Sequence, residues 1–442
     1  MMLRISLVRR VAGALLLAAS FMLPMAGHAA CVSSGAGQTE DTRTAQIAFG
    51  RVNMTDTYLQ PVGTLLASTI VPPTQYTYGG ATAATVLWTC DQADLPNLYF
   101  LAATNGDDRV GGFWETGAAD GLSGVYATWL SYVGVKLTMS GLTLSRYWQR
   151  IPLTTYAVSG NRIQIRLQDV PAMQAELYRI SSLPPAAGAA SDYCATMGSA
   201  SATGTVYTCV QPNAYIQLVG PGIVHDEIGE DSAYRYDFWG ADNGFGYGMR
   251  QATSLSQVAT CVARSATPHV LFPTVSAQQL QAGAVTQANF SVQVECSNSV
   301  SSGTASGQTA LGIQVSPGAY RAAQSLGLVN ASGGVTALVS DNYGNDTGLA
   351  QGVGITLENA TTGNSMVFVG QPGITGSVPS ANPSGAGAGW YPVLEGASSM
   401  GTTQSGYTHY LQTFTATLRQ LPSHMAQPGK VYATAYVLVK VQ

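Results

Sequence analysis

The sequence is short of charge. Only 10% of its 442 residues are Asp, Glu, Lys or Arg, against roughly 25% in a typical soluble domain. Disorder requires high charge with low hydrophobicity, and helix bundles draw on Glu, Lys and Leu, so both classes are excluded. No cluster of Lys and Arg occurs beyond the first ten residues, and the formal net charge is −4. A phosphate-binding face for nucleic acid is therefore not expected. Histidine is also scarce: beyond the leader there are only His225, His269, His409 and His424, widely scattered. Nucleophile elbow, zinc-protease helix, P-loop and C-x-x-C are all missing, so neither an enzyme nor a metal or other cofactor is implied. After residue 30 no apolar run reaches the roughly 20 residues that a membrane-spanning helix needs.

What fills the space is Gly (50 residues) and Pro (20), with 46% hydrophobic residues and many Ser, Thr and Val. That mixture suits exported β-proteins, with turns built on glycine and strand faces on Val and Thr. The first 30 residues read as a secretory signal peptide. Arg4, Arg9 and Arg10 precede the apolar stretch Val11 to Met25, and Gly27, His28, Ala29 and Ala30 offer small residues for cleavage. Six cysteines follow, an even number in an exported chain, which points to disulfides. Sequential pairing, Cys31–Cys90, Cys194–Cys209 and Cys261–Cys296, is the simplest connectivity.

Short runs alternate with period two: Val133 to Met139, Ile163 to Leu167, Phe290 to Cys296, Leu311 to Val315, and Val353 to Leu357. Such alternation marks half-buried strands. No stretch has a helical period, so the expected fold is all-β, as sandwiches. Charge and aromatics split the chain. Residues 31–255 carry 11 basic and 18 acidic residues and five of the six tryptophans, whereas residues 256–442 carry five of each charge and only Trp390. Two domains are expected, 31–255 and 256–442, with the Pro/Ala/Gly-rich stretch 184–204 as a linker or long loop. Segment 186–255 could form a module of its own.

The chain closes on Val431, Ala433, Ala435, Val437, Val439 and Val441, one apolar face of an alternating strand. An edge of that kind invites pairing with another chain. Here a family resemblance enters. Residues 261–442 resemble the pilin domain of chaperone–usher fimbriae: Cys261 and Cys296 with the strand Phe290 to Glu295, then Gly352-Val353-Gly354-Ile355-Thr356-Leu357, then Tyr410 to Leu418, Pro428-Gly429 and the terminal strand. The resemblance implies an incomplete immunoglobulin-like fold that lacks its seventh strand. A periplasmic chaperone lends that strand, an outer-membrane usher handles assembly, and the extension of the adjacent subunit replaces it by donor-strand exchange. Gly124 to Lys136 resembles a stretch of type 1- and type 3-like adhesin domains, from which Tyr132-Val133-Gly134 departs. Glu176-Leu177-Tyr178-Arg179-Ile180 is similar to a second family segment, without its glycine. The long region ahead of the pilin domain implies a two-domain tip adhesin, exported through the periplasm to the cell surface, whose first domain binds a host glycan or matrix receptor. A non-adhesive structural subunit and a secreted glycan hydrolase are the alternatives.

A sugar site needs an aromatic face and fixed polar groups. Asp107, Asp108, Arg109, Trp114 and Glu115 offer both on one expected loop. The run from Asp226 to Trp239, with Tyr234, Arg235 and Tyr236, is a second candidate. Tyr147-Trp148-Gln149-Arg150 reads as a strand with Trp148 in the core and Arg150 outside.

Overall fold

The computed structural model of the chain describes residues 30–37, 40–185, 188–191, 193–194, 207–250, 252–371 and 384–442. The expected signal peptide, apart from its last residue, and most of the 184–204 stretch lie outside these. The described chain is built of strands, and the internal alternating runs fall on Val133–Met139, Arg162–Arg166, Thr286–Ser297, Thr309–Val315 and Val353–Asn359, with Leu167 just past the end of its strand.

Two large hydrophobic cores form in sequence. The first takes its residues from Cys31 to Leu255, the second from Cys261 to Ala426. Three sheets surround the first core. One orders its strands Val32–Ser33, Val86–Asp91, Arg162–Arg166, Ala157–Ser159; another Leu65–Val71, Met173–Arg179, Val133–Met139, Val125–Ala127. The third runs Gln149–Pro152, Tyr99–Thr104, Ala214–Val219, Phe245–Gly248, Thr44–Gln46. Its last pair is parallel, as is the separate pair Gly50–Asn53 with Thr253–Ser256. Because Ala214–Val219 sits between Tyr99–Thr104 and Phe245–Gly248, residues 214–256 are integral to the first body. The expectation of a separate 186–255 module is corrected on that ground.

Tyr99–Thr104 and Ala214–Val219 do not alternate in polarity, and the reason is packing. Phe100, Ala102, Ile216 and Leu218 enter the main core, while Leu101, Ala103, Tyr215 and Val219 join a second cluster with Trp148 and Phe238. The long loop 220–244 supplies Phe238 and so covers the sheet's outer face. A sheet buried on both sides reads as a continuous apolar run. The loop is held by aromatic edges: Phe238 stands 5.3 Å from Trp148 and 5.4 Å from Tyr215, both T-shaped. Trp148 donates its indole N–H to the Arg235 carbonyl at 2.9 Å.

Around the second core lie a six-stranded sheet and a three-stranded one. The first is ordered Cys261–Ala266, Thr286–Ser297, Tyr407–Gln420, Val353–Asn359, Ser365–Met366, with Ser398–Gln404 also paired to Tyr407–Gln420. The second is ordered Trp390–Pro392, Thr309–Val315, Ala435–Val441. Two short helices, Ala277–Gln281 and Pro317–Ser325, depart from the expectation of strands alone. Each starts at a serine cap, and Ser316 accepts the Ala319 N–H at 3.1 Å ahead of Pro317 in the first turn. The buried face of Pro317–Ser325 is mostly alanine and Ala277–Gln281 buries only Leu280, too little to give a strong helical period. The six cysteines form the three sequential disulfides Cys31–Cys90, Cys194–Cys209 and Cys261–Cys296. Each such bond contributes roughly 2–4 kcal/mol.

Candidate functional site

The two loops expected to bind a ligand meet on one surface, and Arg146 is the residue that joins them. Its guanidinium lies 4.3 Å from the centre of the Phe113 ring and its Nε 2.9 Å from Asp231 Oδ1. Backbone bonds seat the second loop against the strand end: Ser232 N–H donates to the Arg146 carbonyl and Trp148 N–H to the Glu230 carbonyl, both at 2.9 Å. Gly106 closes the other side. A Cβ there would lie 2.6 Å from the Ala233 nitrogen and 2.7 Å from Arg146 Cγ, so only glycine lets the loops approach.

Within the first loop the polar residues are structural. Asp108 is 0% exposed; its two oxygens accept the Val110 and Cys194 N–H groups at 3.0 Å each. Arg109 is 5% exposed and its Nε has no hydrogen-bond partner among the described residues. Neither reaches the surface, which corrects the expectation that both face a ligand. The reason is local: a carboxylate that caps two backbone amides must sit inside the turn it organises. Asp107 is half-buried, and burial pushes its carboxyl up against the opposing hydrogen bond from Ser191. Trp114 is half-buried, edge-on to Phe113 at 5.0 Å, with Gly188 close over its ring. Glu115 is exposed, but its Oε1 already accepts the Gly124 N–H at 2.6 Å.

The second loop carries the exposed groups. Tyr234 is 68% exposed and Tyr236 44%, and Arg235 is exposed between them. Tyr147 joins them, its ring 5.5 Å from the Arg146 guanidinium. Asp226 is buried beneath, accepting Gln217 Nε2 and the Asp237 N–H at 2.9 Å each. Burial raises its pKa against these bonds. Arg146 and Tyr147 were missed as surface residues. The signal available was the strand beginning at Gln149, which places Trp148 inside and leaves its predecessor outside, and Tyr147 is indeed exposed while Trp148 is buried.

The second feature is an edge. Among the described residues Ala435–Val441 pairs only with Thr309–Val315, in a register that matches Val439 with Leu311 and Val437 with Ile313. Leu311 and Ile313 are buried, yet Val437 and Val439 remain half-buried on the same face. Val441 is buried and Ala435 exposed. Cys261–Ala266, the edge of the other sheet, likewise pairs on one side only among the described residues, with Ala263, Arg264, Ser265 and Ala266 exposed. The terminal strand begins at Ala435, so Val431 and Ala433 fall outside it, correcting the longer strand expected. Side chains intercept the backbone there: Ser340 Oγ accepts the Tyr432 N–H at 3.2 Å, and Asp341 accepts the Thr434 N–H at 3.0 Å and its hydroxyl at 2.7 Å. On the opposite face Lys440 lies 5.5 Å from the Trp390 ring centre.

Comparison with known proteins gives one sequence match. Residues 252–442 match the family model described as fimbrial protein. No curated protein matches the chain. Among solved structures, the rod subunit PapA of the P pilus is 16% identical, covering 42% of this chain and 92% of its own, at a TM-score of 0.21. The CupB6 tip adhesin of Pseudomonas aeruginosa is 12% identical over 86% of this chain and 88% of its own, at 0.21. The CsuC–CsuE chaperone–tip adhesion subunit complex of the archaic Csu pili of Acinetobacter baumannii is 10% identical over 93% and 99%, also at 0.21. These superpositions are loose, and the assignment rests on the sequence match over the body with the open edge. The match to the fimbrial protein family thus spans residues 252–442, the body that carries the open edge.

Proposed function

We propose that the chain is the tip adhesin of a chaperone–usher fimbria, with a receptor-binding domain at 31–255 and an incomplete pilin domain at 256–442. The observation that carries this is the half-covered Val437–Val439 face on an edge strand inside the fimbrial segment. A periplasmic chaperone, and after it the extension of an adjacent subunit, would complete that edge by β-augmentation, with an outer-membrane usher guiding assembly to the cell surface. The body ahead of it is neither a second copy of the fimbrial segment nor a short extension. Its Tyr147, Tyr234, Arg235 and Tyr236 surface is the receptor site in this reading. Aromatic faces suit the apolar side of a pyranose ring or of a matrix protein, and the class of receptor is a glycan or a matrix protein.

The test is expression of the full chain in a periplasm with and without its chaperone, followed by binding of the chaperone-complexed chain to a glycan array and to immobilised matrix proteins. A stable monomer in good yield without a chaperone overturns the assembly role. Stable complexes that bind nothing, with adhesion unchanged on deletion and label along the whole shaft, identify a structural subunit instead. Release of reducing sugar identifies a hydrolase.

A further inference from the structure

We infer that the N-terminal body clamps together the two sheets of the open C-terminal body at one end of the unpaired edges. Residues 51–58 of the first body touch both sheets. On the six-stranded sheet, Tyr58 donates its hydroxyl to Glu295 Oε1 at 2.8 Å, and its ring lies 4.5 Å from that of Tyr407. Arg264, on the edge strand Cys261–Ala266, holds the other oxygen of Glu295 at 2.7 Å and reaches the Tyr58 carbonyl at 3.5 Å. On the three-stranded sheet, Arg51 donates to the Gln442 carbonyl at 3.3 Å, at the end of the strand Ala435–Val441, and to Ser306 Oγ at 3.2 Å.

Glu295 is 2% exposed. A buried carboxylate is stable only when paired and hydrogen-bonded, and two of its partners come from within the second body: Arg264 and His409, the latter at 3.4 Å. The hydroxyl from Tyr58 is a partner that crosses between bodies. Both free edges, Cys261–Ala266 and Ala435–Val441, therefore end at groups held by the first body. Within the second body, Thr260 Oγ1 and Thr309 Oγ1 tie the two sheets at 3.1 Å. Arg51 and Tyr58 add a second set from outside the domain. A strand entering the gap has to fit the sheet spacing this clamp sets, so strand occupancy and seating of the first body are linked in both directions. That last step rests on the proposed assembly by strand addition; the clamp itself does not.

The experiment uses the full chain, with whatever chaperone co-purifies. Wild type, Tyr58→Phe, and Tyr58→Phe with Arg51→Gln are compared by amide hydrogen exchange and by thermolysin cleavage between residues 257 and 260, with Val158→Thr, on a remote edge, as control. Removing hydrogen bonds to a buried carboxylate and a strand end should speed exchange in Cys261–Ala266 and Ala435–Val441 on the order of tenfold, with faster cleavage of the connection. Faster cleavage with unchanged exchange overturns the clamp, because the bodies are then merely tethered. No change in either also overturns it. If the double variant does not accumulate, the isosteric Tyr58→Phe alone decides between the same outcomes. A wild-type chain that is stable without any chaperone defeats the assembly reading but leaves the exchange comparison intact on the free chain.

Discussion

Arg146 Nε stands 2.9 Å from Asp231 Oδ1 while its guanidinium lies over Phe113, so one side chain joins two loops that lie more than a hundred residues apart. Arg146→Met keeps the aliphatic stem against Phe113 but removes the ion pair and the stacked cation. Adhesion should fall by roughly tenfold, since a half-buried charged hydrogen bond is worth about 1.5 kcal/mol, while the level of exported protein stays near wild type. Paired adhesion assays and immunoblots of the surface fraction measure it. Adhesion at the wild-type level removes Arg146 from the receptor surface.

Tyr234 and Trp114 should separate cleanly. Tyr234 is 68% exposed, so Tyr234→Ala is expected to lower adhesion while changing stability by about 0.5 kcal/mol or less. Trp114→Ala loses the contact with Phe113 and the ground under Gly188, and should cost about 1–3 kcal/mol together with adhesion. Urea midpoints of both variants give the comparison; equal destabilisation by the two would contradict the exposure pattern.

Gly106→Ala tests the loop junction by volume alone. With the added carbon 2.6 Å from the Ala233 nitrogen, the loops must separate, at a cost of about 1–3 kcal/mol. Loss of adhesion in Gly106→Ala without loss of the Cys194–Cys209 body's folding, followed by near-ultraviolet circular dichroism, is the expected result.

Deleting residues 437–442 removes the half-covered face and the ladder to Thr309–Val315. The shortened chain should no longer co-purify with a chaperone, as read by pull-down from periplasmic extract. Persistence of the complex would mean that the chaperone pairs elsewhere.

Lys440 gives a pH signature. Burial lowers its ammonium in the folded chain to about 8, from an ordinary 10.5, although the Trp390 face favours the cation. Below pH 8 both folded and unfolded chains hold the proton, and the folded one bears the cost of desolvation. Between pH 8 and 10.5 the unfolded chain binds more protons, so this group's contribution to stability rises with pH. Relative to Lys440→Met, the wild type should gain on the order of 1 kcal/mol or more between pH 7.5 and 10, measured by urea midpoints. A flat difference across that range would show that Lys440 titrates normally.

Strand positions were legible in the sequence wherever one face meets a core and the other water. Val133–Met139 and Arg162–Arg166 are such strands, and period two marks them. Where a sheet is covered on both sides, as at Tyr99–Thr104, the apolar run carries no face, and the covering loop could not be read. Cys296 announced its bond by sharing a face with Val292 and Val294. The site was legible only as composition. Aspartates in Asn-Gly-Asp-Asp look alike in sequence whether they face water or cap a turn, and only the fold distinguishes Asp108, inside, from Tyr234, outside. Arg146 gave no signal because its partners, Phe113 and Asp231, come from distant loops. The beginning of the terminal strand was misplaced because Asp341, ninety residues away, takes the backbone bonds of Thr434.

The parallel pair Gly50–Asn53 with Thr253–Ser256 has a mechanical consequence. The chain leaves the first body through Ser256, so tension between the two bodies pulls Thr253–Ser256 lengthwise past its neighbour. Every hydrogen bond of that ladder then bears load together, in shear, rather than opening one after another as in a peeled hairpin. Asn53 adds to the same seam, its side chain accepting the Val258 N–H at 2.8 Å and donating to the Val258 carbonyl at 2.9 Å. The join between the two bodies is thus the part of the molecule arranged to be pulled.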